Sequence, residues 1–202
     1  MTEVSDILKM ISENDVEYVD LRFTDPRGKW QHVAMHVDVV DEDMFEDGVM
    51  FDGSSIAGWK AINESDMTLM PDLDSAVMDP FSAQNQLIMV CDILDPITGE
   101  AYERDPRTTA KAALAYLKST GIGDTAYFGP EPEFFVFDDV KFEVGYNTAY
   151  YQFDDVEGPY NSGNEIPGGN MGHRPKIKGG YFPVAPVDSG SDIRAEMLGT
   201  MR

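Results

Sequence analysis

Residues 86–94, QLIMVCDIL, are nearly continuous in apolar side chains and end at Asp95-Pro96 and the turn sequence ITGE. A short apolar run bounded by turn residues reads as a buried strand, since a strand with one face in water would alternate with polar residues. The chain must therefore build a core around this segment. Cys91 lies inside it and is the only cysteine, so no internal disulfide can form and a reducing compartment is the natural setting.

The other elements arrange themselves around that strand. Val4, Ile7, Leu8 and Ile11 recur at helical spacing, which predicts a short amphipathic helix over residues 3–13 with an acidic start that suits the helix dipole. In EYVDLRFT the residues Val19, Leu21 and Phe23 alternate, DPRG supplies a turn, and KWQHVAMHV resumes an extended pattern. The spacing predicts a β-hairpin, expected as the central pair of strands. DMTLMPD and SAVMDPF add further extended pieces, so the first hundred residues read as a small, strand-rich α/β unit.

Asp105 can cap a helix with Pro106 at its first position. Ala110, Ala113, Leu114 and Leu117 then form an apolar stripe, which Ser119, Thr120 and Gly121 end. A domain boundary is placed near Arg104, giving residues 1–104 and 105–202. Beyond the helix, TAYFGPEPEFFVFD reads as an aromatic extended segment, and residues 146–180, rich in Gly, Asn, Pro and Tyr, read as a long loop of the functional or mobile kind. SDIRAEMLGTMR begins a helix with Ile193, Met197 and Leu198 on one face. It stops before a second domain of ordinary size is complete, so the chain is expected to be truncated.

Charge restricts the partners. The net charge of −22 would repel nucleic acid and anionic membrane alike, leaving cations or a basic partner as complements. Residues 1–100 hold 5 basic and 22 acidic side chains against 10 and 15 in residues 101–202, an imbalance that also suggests two units. The N-terminus has neither the basic start nor the apolar stretch of a secretory signal, and no segment approaches the roughly 18 apolar residues of a membrane span. A cytoplasmic protein is expected.

Several residues could carry chemistry. Glu131 and Glu133 lie two apart in GPEPEFFVFD, which in a strand puts both carboxylates on one face, about 6 to 7 Å apart. Hard oxygen ligands so placed suit magnesium or manganese; the alternative is a solvent-facing pair that keeps an edge strand from pairing with other chains. The run DEDMFEDG fails as a calcium loop, because Phe45 and Glu46 stand where a ligand and the sharp-turn glycine are needed, and reads as a solvated helical face. His32, His36 and His173 form no zinc constellation with the cysteine. Arg174, Lys176 and Lys178 make a local positive patch before Gly179 and Gly180; it could meet a phosphate or carboxylate, or be an ordinary solvated run. MFDGSSIAGW, residues 50–59, places Asp52 in a polar turn between bulky apolar ends, where Asp52 could simply cap the turn and Trp59 anchor it at the surface.

Three stretches in order, DGSSIAGWKAINESDMTL from Asp52, GPEPEFFVFD from Gly129 and KGGYFPVAPVDS from Lys178, resemble the bacterial type I glutamine synthetase family, most closely its proteobacterial form. Glu64, Ser65, Asp66 and Leu69 fit the first motif as well, and the resemblance extends over essentially the whole chain, as the N-terminal portion of such a protein. It implies an α+β fold: a β-grasp N-terminal domain followed by the truncated start of the catalytic α/β domain. It implies ATP-dependent ligation of ammonia to glutamate through a γ-glutamyl phosphate. Glu131 and Glu133 would each ligate one of two magnesium or manganese ions. Asp52 would bind ammonium and help remove its proton, with Ser55 and Tyr181 lining the same pocket. The resemblance further implies a dodecamer of two hexameric rings, in which the Asp52 loop of one subunit serves the metal site of its neighbour, with Met50, Phe51 and Trp59 held at that interface. Further metal ligands and the arginines for glutamate and phosphate would follow Arg202, so the 202-residue chain alone is expected to be inactive and to bind the metal pair weakly. A γ-glutamyl-amine ligase and a non-catalytic fragment retaining only assembly contacts are the competing expectations.

Overall fold

The computed structural model describes residues 1–61, 65–165, 169, 175 and 178–202. It divides into two compact units, Met1–Phe128 and Gly129–Arg202. The first opens with helix α1 (Val4–Glu13), followed by the hairpin of β1 (Tyr18–Thr24) and β2 (Trp30–His36). Helix α2 (Glu42–Asp47), β3 (Val49–Asp52), β4 (Asp66–Pro71), β5 (Val77–Met78), β6 (Gln86–Leu94) and helix α3 (Pro106–Thr120) complete it.

The apolar run is the middle of the sheet. The strand order is β2-β1-β6-β4-β3, with β5 also on β6, and β6 pairs in parallel with β1 through its first half and antiparallel with β4 through its second. The expected hairpin forms but is not central: β2 is an edge, because the more apolar β6 takes the position flanked on both sides. Leu87, Met89, Cys91 and Ile93 turn one face of β6 inward onto Val19, Leu21 and Phe23 of β1 and Met67 and Leu69 of β4. Ile7 and Ile11 of α1 and Met44 and Phe45 of α2 close over them. Each fully buried Leu or Ile here stabilises the fold by about 1.5–3 kcal/mol. The acidic run thus forms a solvated helix whose two apolar residues reach the core.

Two local devices fix the chain path. In the hairpin turn the Asp25 carboxylate accepts from the Arg27 and Lys29 backbone N–H groups, each at 2.9 Å, and from the Gln31 amide at 3.1 Å. The Lys29 bond first, then Gln31, holds this carboxyl below its usual range. Gly28, at φ +83°, supplies the left-handed residue that turn requires. In the centre of the sheet the Cys91 thiol is 1% exposed, and burial, aided by the charge of Asp92, pushes it up to about 12.

Asp105 caps α3 as its sequence predicts. Its carboxylate, 1% exposed, accepts from Arg107 N at 3.0 Å, Thr108 N at 3.2 Å and Thr108 Oγ1 at 3.1 Å, and also from Ile93 N of β6 at 3.4 Å. Gly121 ends the helix in the left-handed conformation. The apolar stripe is not covered, for no residue of α3 is buried. Ions hold the helix to the sheet instead: Arg107 pairs with Asp92 at 2.8 Å and with Asp72, and Lys111 pairs with Asp92. Asp105→Ala removes a cap and strips a buried β6 N–H of its acceptor, so a loss of about 2 kcal/mol is expected, measured by urea unfolding.

The second unit holds the antiparallel hairpin of β7 (Asp139–Val144) and β8 (Ala149–Asp154) and helix α4 (Ser191–Thr200). β8 falls inside the expected long loop, because alternating aromatics in AYYQFD outweigh the turn-rich composition around them. The aromatic segment expected to be extended over residues 125–138 joins no ladder, and Phe134, Phe135 and Val136 are more than half exposed. An extended segment becomes a strand only where a neighbour takes up its backbone N–H and C=O groups. Among the described residues no helix is long and apolar enough to cross a membrane.

Candidate functional site

Asp52 is the last residue of β3, paired with Asp66 of β4, and the chain turns directly after it through the 3₁₀ turn Gly53–Ser55. Gly53 is buried and donates to the Ser65 carbonyl at 2.7 Å. A Cβ at Gly53 would stand 2.6 Å from the Met67 sulfur, so glycine is what lets the turn lie this close to β4. The exposed Asp52 carboxylate accepts from Ser54 N at 2.8 Å and Ser54 Oγ at 2.6 Å. The Ser54 hydroxyl first, then its N–H, holds Asp52 below its usual range, with a smaller contribution from the Ser65 hydroxyl.

The result is an ionised carboxylate held in place at the edge of a rigid sheet. It can attract a small cation, and its hydrogen bonds make it a better anion than base. Ser55, the predicted pocket residue, is exposed one position further on. Ser54 was not singled out by sequence reasoning, although an Asp whose side chain accepts from the backbone N–H two residues on is a recognised turn signal. Ser54→Ala is expected to move Asp52 upward toward the ordinary 3.8, visible in a carboxyl NMR titration, since it deletes the leading cause of the shift.

The far end of the loop is anchored inside its own unit. Trp59, 5% exposed, packs against Phe23 at 5.5 Å, Phe51 at 6.1 Å and Tyr102 at 5.7 Å between ring centres. It is a core residue rather than a surface anchor, while Met50 is exposed. Arg104 reaches back to the same turn, donating to the Gly58 carbonyl at 2.9 Å and the Trp59 carbonyl at 3.4 Å.

A second polar cluster lies on the opposite face of β1. Asp20, 1% exposed, accepts from Arg22 Nε at 2.7 Å and meets His32 Nδ1 at 2.5 Å; Arg22 also pairs with Asp79 at 3.2 Å and lies over the Trp30 ring. A cavity of about 390 Å³ adjoins it, lined also by Phe81, Ser82 and Gln86. Arg22 bridges the two carboxylates and His32 meets Asp20, so the cluster is a network whose members satisfy one another. Sequence reasoning passed over His32 because the partner lies on the neighbouring strand.

The remaining predicted residues belong to the second unit. Glu131 and Glu133 are exposed, outside any strand or helix, and Tyr181 is 88% exposed with its ring edge against Phe182 at 4.8 Å. Carboxylate oxygens suit a hard divalent cation in kind, but among the described residues no three acidic, histidine or cysteine side chains are grouped to hold a metal. Alone, the pair could supply two ligands at most. Glu64, His173, Arg174 and Lys176 lie outside the described residues.

Two family models match this arrangement: the glutamine synthetase beta-Grasp domain over residues 15–96 and the glutamine synthetase catalytic domain over residues 103–202. The chain belongs to the glutamine synthetase family. Glutamine synthetases of Azospirillum brasilense and Rhizobium meliloti (strain 1021) are each 65% identical to it, over 100% and 98% of the chain. The chain spans 43% and 42% of their lengths, corresponding to the N-terminal part of a glutamine synthetase. A cryo-EM structure of Plasmodium falciparum glutamine synthetase shares the fold, with a TM-score of 0.80 at 24% identity over 100% of this chain and 40% of that one. The expected α+β class, a β-grasp domain followed by the start of the glutamine synthetase catalytic domain, is the fold observed.

Proposed function

We propose that this chain supplies the ammonium-binding loop and part of the metal site of a glutamate–ammonia ligase, which forms glutamine for nitrogen assimilation from glutamate, ammonia and ATP. The observation that carries the reading is Asp52: an exposed carboxylate, held ionised by Ser54, at the end of a strand in the family's β-grasp domain. Ammonium has no lone pair with which to attack, so a group must first gather the cation and then accept its proton. Asp52 does the first by charge. It does the second by taking one N–H proton, which frees that electron pair to bond the acyl carbon while phosphate departs with the C–O bonding pair. Ser55 and Tyr181 offer hydroxyl oxygens to the same cation.

Glu131 and Glu133 would hold magnesium or manganese, which when bound neutralises charge on the transferring phosphoryl group. The functional boundary is placed near Arg104, with the β-grasp domain before it and the catalytic domain after. In the assembled protein, a cytoplasmic dodecamer of two hexameric rings, the Asp52 loop of one subunit serves the glutamates of the next.

Competition decides between ammonium and a larger amine. With a full-length ligase carrying this sequence, ATP-dependent product is expected to form with ammonium and to be inhibited little by methylamine or ethylamine. Preference for the amine would make the protein a γ-glutamyl-amine ligase instead. The 202-residue chain alone is expected to give no glutamine in the same assay, and measurable formation by it would overturn the need for the remaining ligands.

A further inference from the structure

We infer that Arg104 is a positioning residue for the Asp52 loop, an inference that rests on the role proposed above for Asp52. The loop between β3 and β4 is fixed at its start by strand pairing and by the Gly53 N–H on the Ser65 carbonyl. Among the described residues of its outgoing limb, no ladder holds it. Instead, contacts converge on residues 58–60 from the segment that joins β6 to α3, among them the ion pair of Lys60 with Asp95 at 3.7 Å. Tyr102, 9% exposed, meets the Trp59 ring edge-on; the Lys60 ammonium lies 5.4 Å from the centre of the Tyr102 ring; and the Arg104 guanidinium bridges two successive carbonyls, Gly58 and Trp59.

Gly58 stands at φ +88°, a conformation that a side chain would strain. A charged donor across both carbonyls secures that turn where no strand partner does. The joining segment is itself immobilised. Tyr102 N donates to the Ile93 carbonyl at 2.8 Å, Ala101 bridges Leu94, and Asp105 is buried against Ile93 N. The position of the Asp52 loop is thereby referred to β6, the middle of the sheet, through a residue at the start of the catalytic-domain match. Nothing in the loop sequence itself reveals this dependence.

Two readouts test it. Trp59 Nε1 is buried and has no hydrogen-bond partner among the described residues, so exchange of its indole proton reports opening of the turn rather than rupture of a bond of its own. In this chain, Arg104→Ala is expected to speed that exchange about tenfold, and Arg104→Lys to speed it less, since both carbonyls are met by the single nitrogen Nη1 and an ammonium keeps one charged donor nitrogen. In the full-length ligase, Arg104→Ala is expected to raise KM for ammonium roughly 10- to 100-fold while KM for ATP stays the same. Unchanged indole exchange, or equal shifts in both KM values, overturns the positioning role. Asp52→Asn is run alongside: if it leaves ammonium use intact, the reading of Asp52 fails, and the role of Arg104 in ammonium use fails with it. An impaired Asp52→Asn beside a normal Arg104→Ala instead refutes the Arg104 role alone.

Discussion

In a full-length ligase carrying this sequence, Asp52→Ala is expected to lower kcat/KM for ammonium by about 10²- to 10⁴-fold while KM for ATP changes little. The substitution removes both the negative charge that gathers ammonium and the acceptor for its proton. The β3–β4 ladder that carries the residue remains, because Asp52 enters it through its backbone. Asp52→Asn deletes both while keeping the Ser54 contacts possible, and so separates loss of the chemistry from loss of the local structure. The pH dependence has a definite sign. Since hydrogen bonds from Ser54 lower Asp52 below 3.8, the carboxylate stays ionised down through that value, and its contribution to ammonium use is lost only as pH falls through the lowered pKa. Steady-state kinetics with ammonium and ATP varied separately checks this, and equal losses for both substrates would sink the assignment.

Glu131→Gln and Glu133→Gln are each expected to reduce activity about 10³-fold at a fixed magnesium concentration, with partial recovery as the metal is raised. Glutamine matches glutamate in size but offers a neutral amide oxygen, so a loss that added metal reverses belongs to ligation. Both residues are exposed in this chain, which makes a folding defect a poor explanation for such a loss. Metal titrations of the two variants are the measurement. An unaltered metal requirement would return the pair to the alternative of solvent-facing glutamates.

Much of the fold was legible because the signals were local. Asp105, Pro106 and Gly121 mark the ends of α3 through backbone preferences that operate whatever surrounds them. QLIMVCDIL declares its burial by a nearly continuous apolar run, broken after Gln86 only by Asp92. What sequence could not supply was neighbourhood. The same aromatic alternation gives a strand at β8, where β7 is its partner, and none over residues 129–137. Trp59 read as a surface anchor, yet Phe23 and Tyr102, far from it along the chain, enclose it. At the candidate site, motif order pointed to Asp52 and Ser55, whereas the hydroxyl that sets the charge of Asp52 is Ser54 and the cation gripping the loop is Arg104. Each of these depends on side-chain direction or tertiary contact, which spacing alone does not encode.

The placement of Cys91 gives this chain a built-in clock. A thiol pushed up to about 12 and sealed within the middle strand is almost never the reactive thiolate while the sheet is closed. An alkylating reagent can therefore label only those molecules in which β6 has come free. With one cysteine in the sequence, every label records the same event. The labelling rate in native buffer measures how often the centre of the β-grasp sheet opens, without denaturant and without an engineered cysteine.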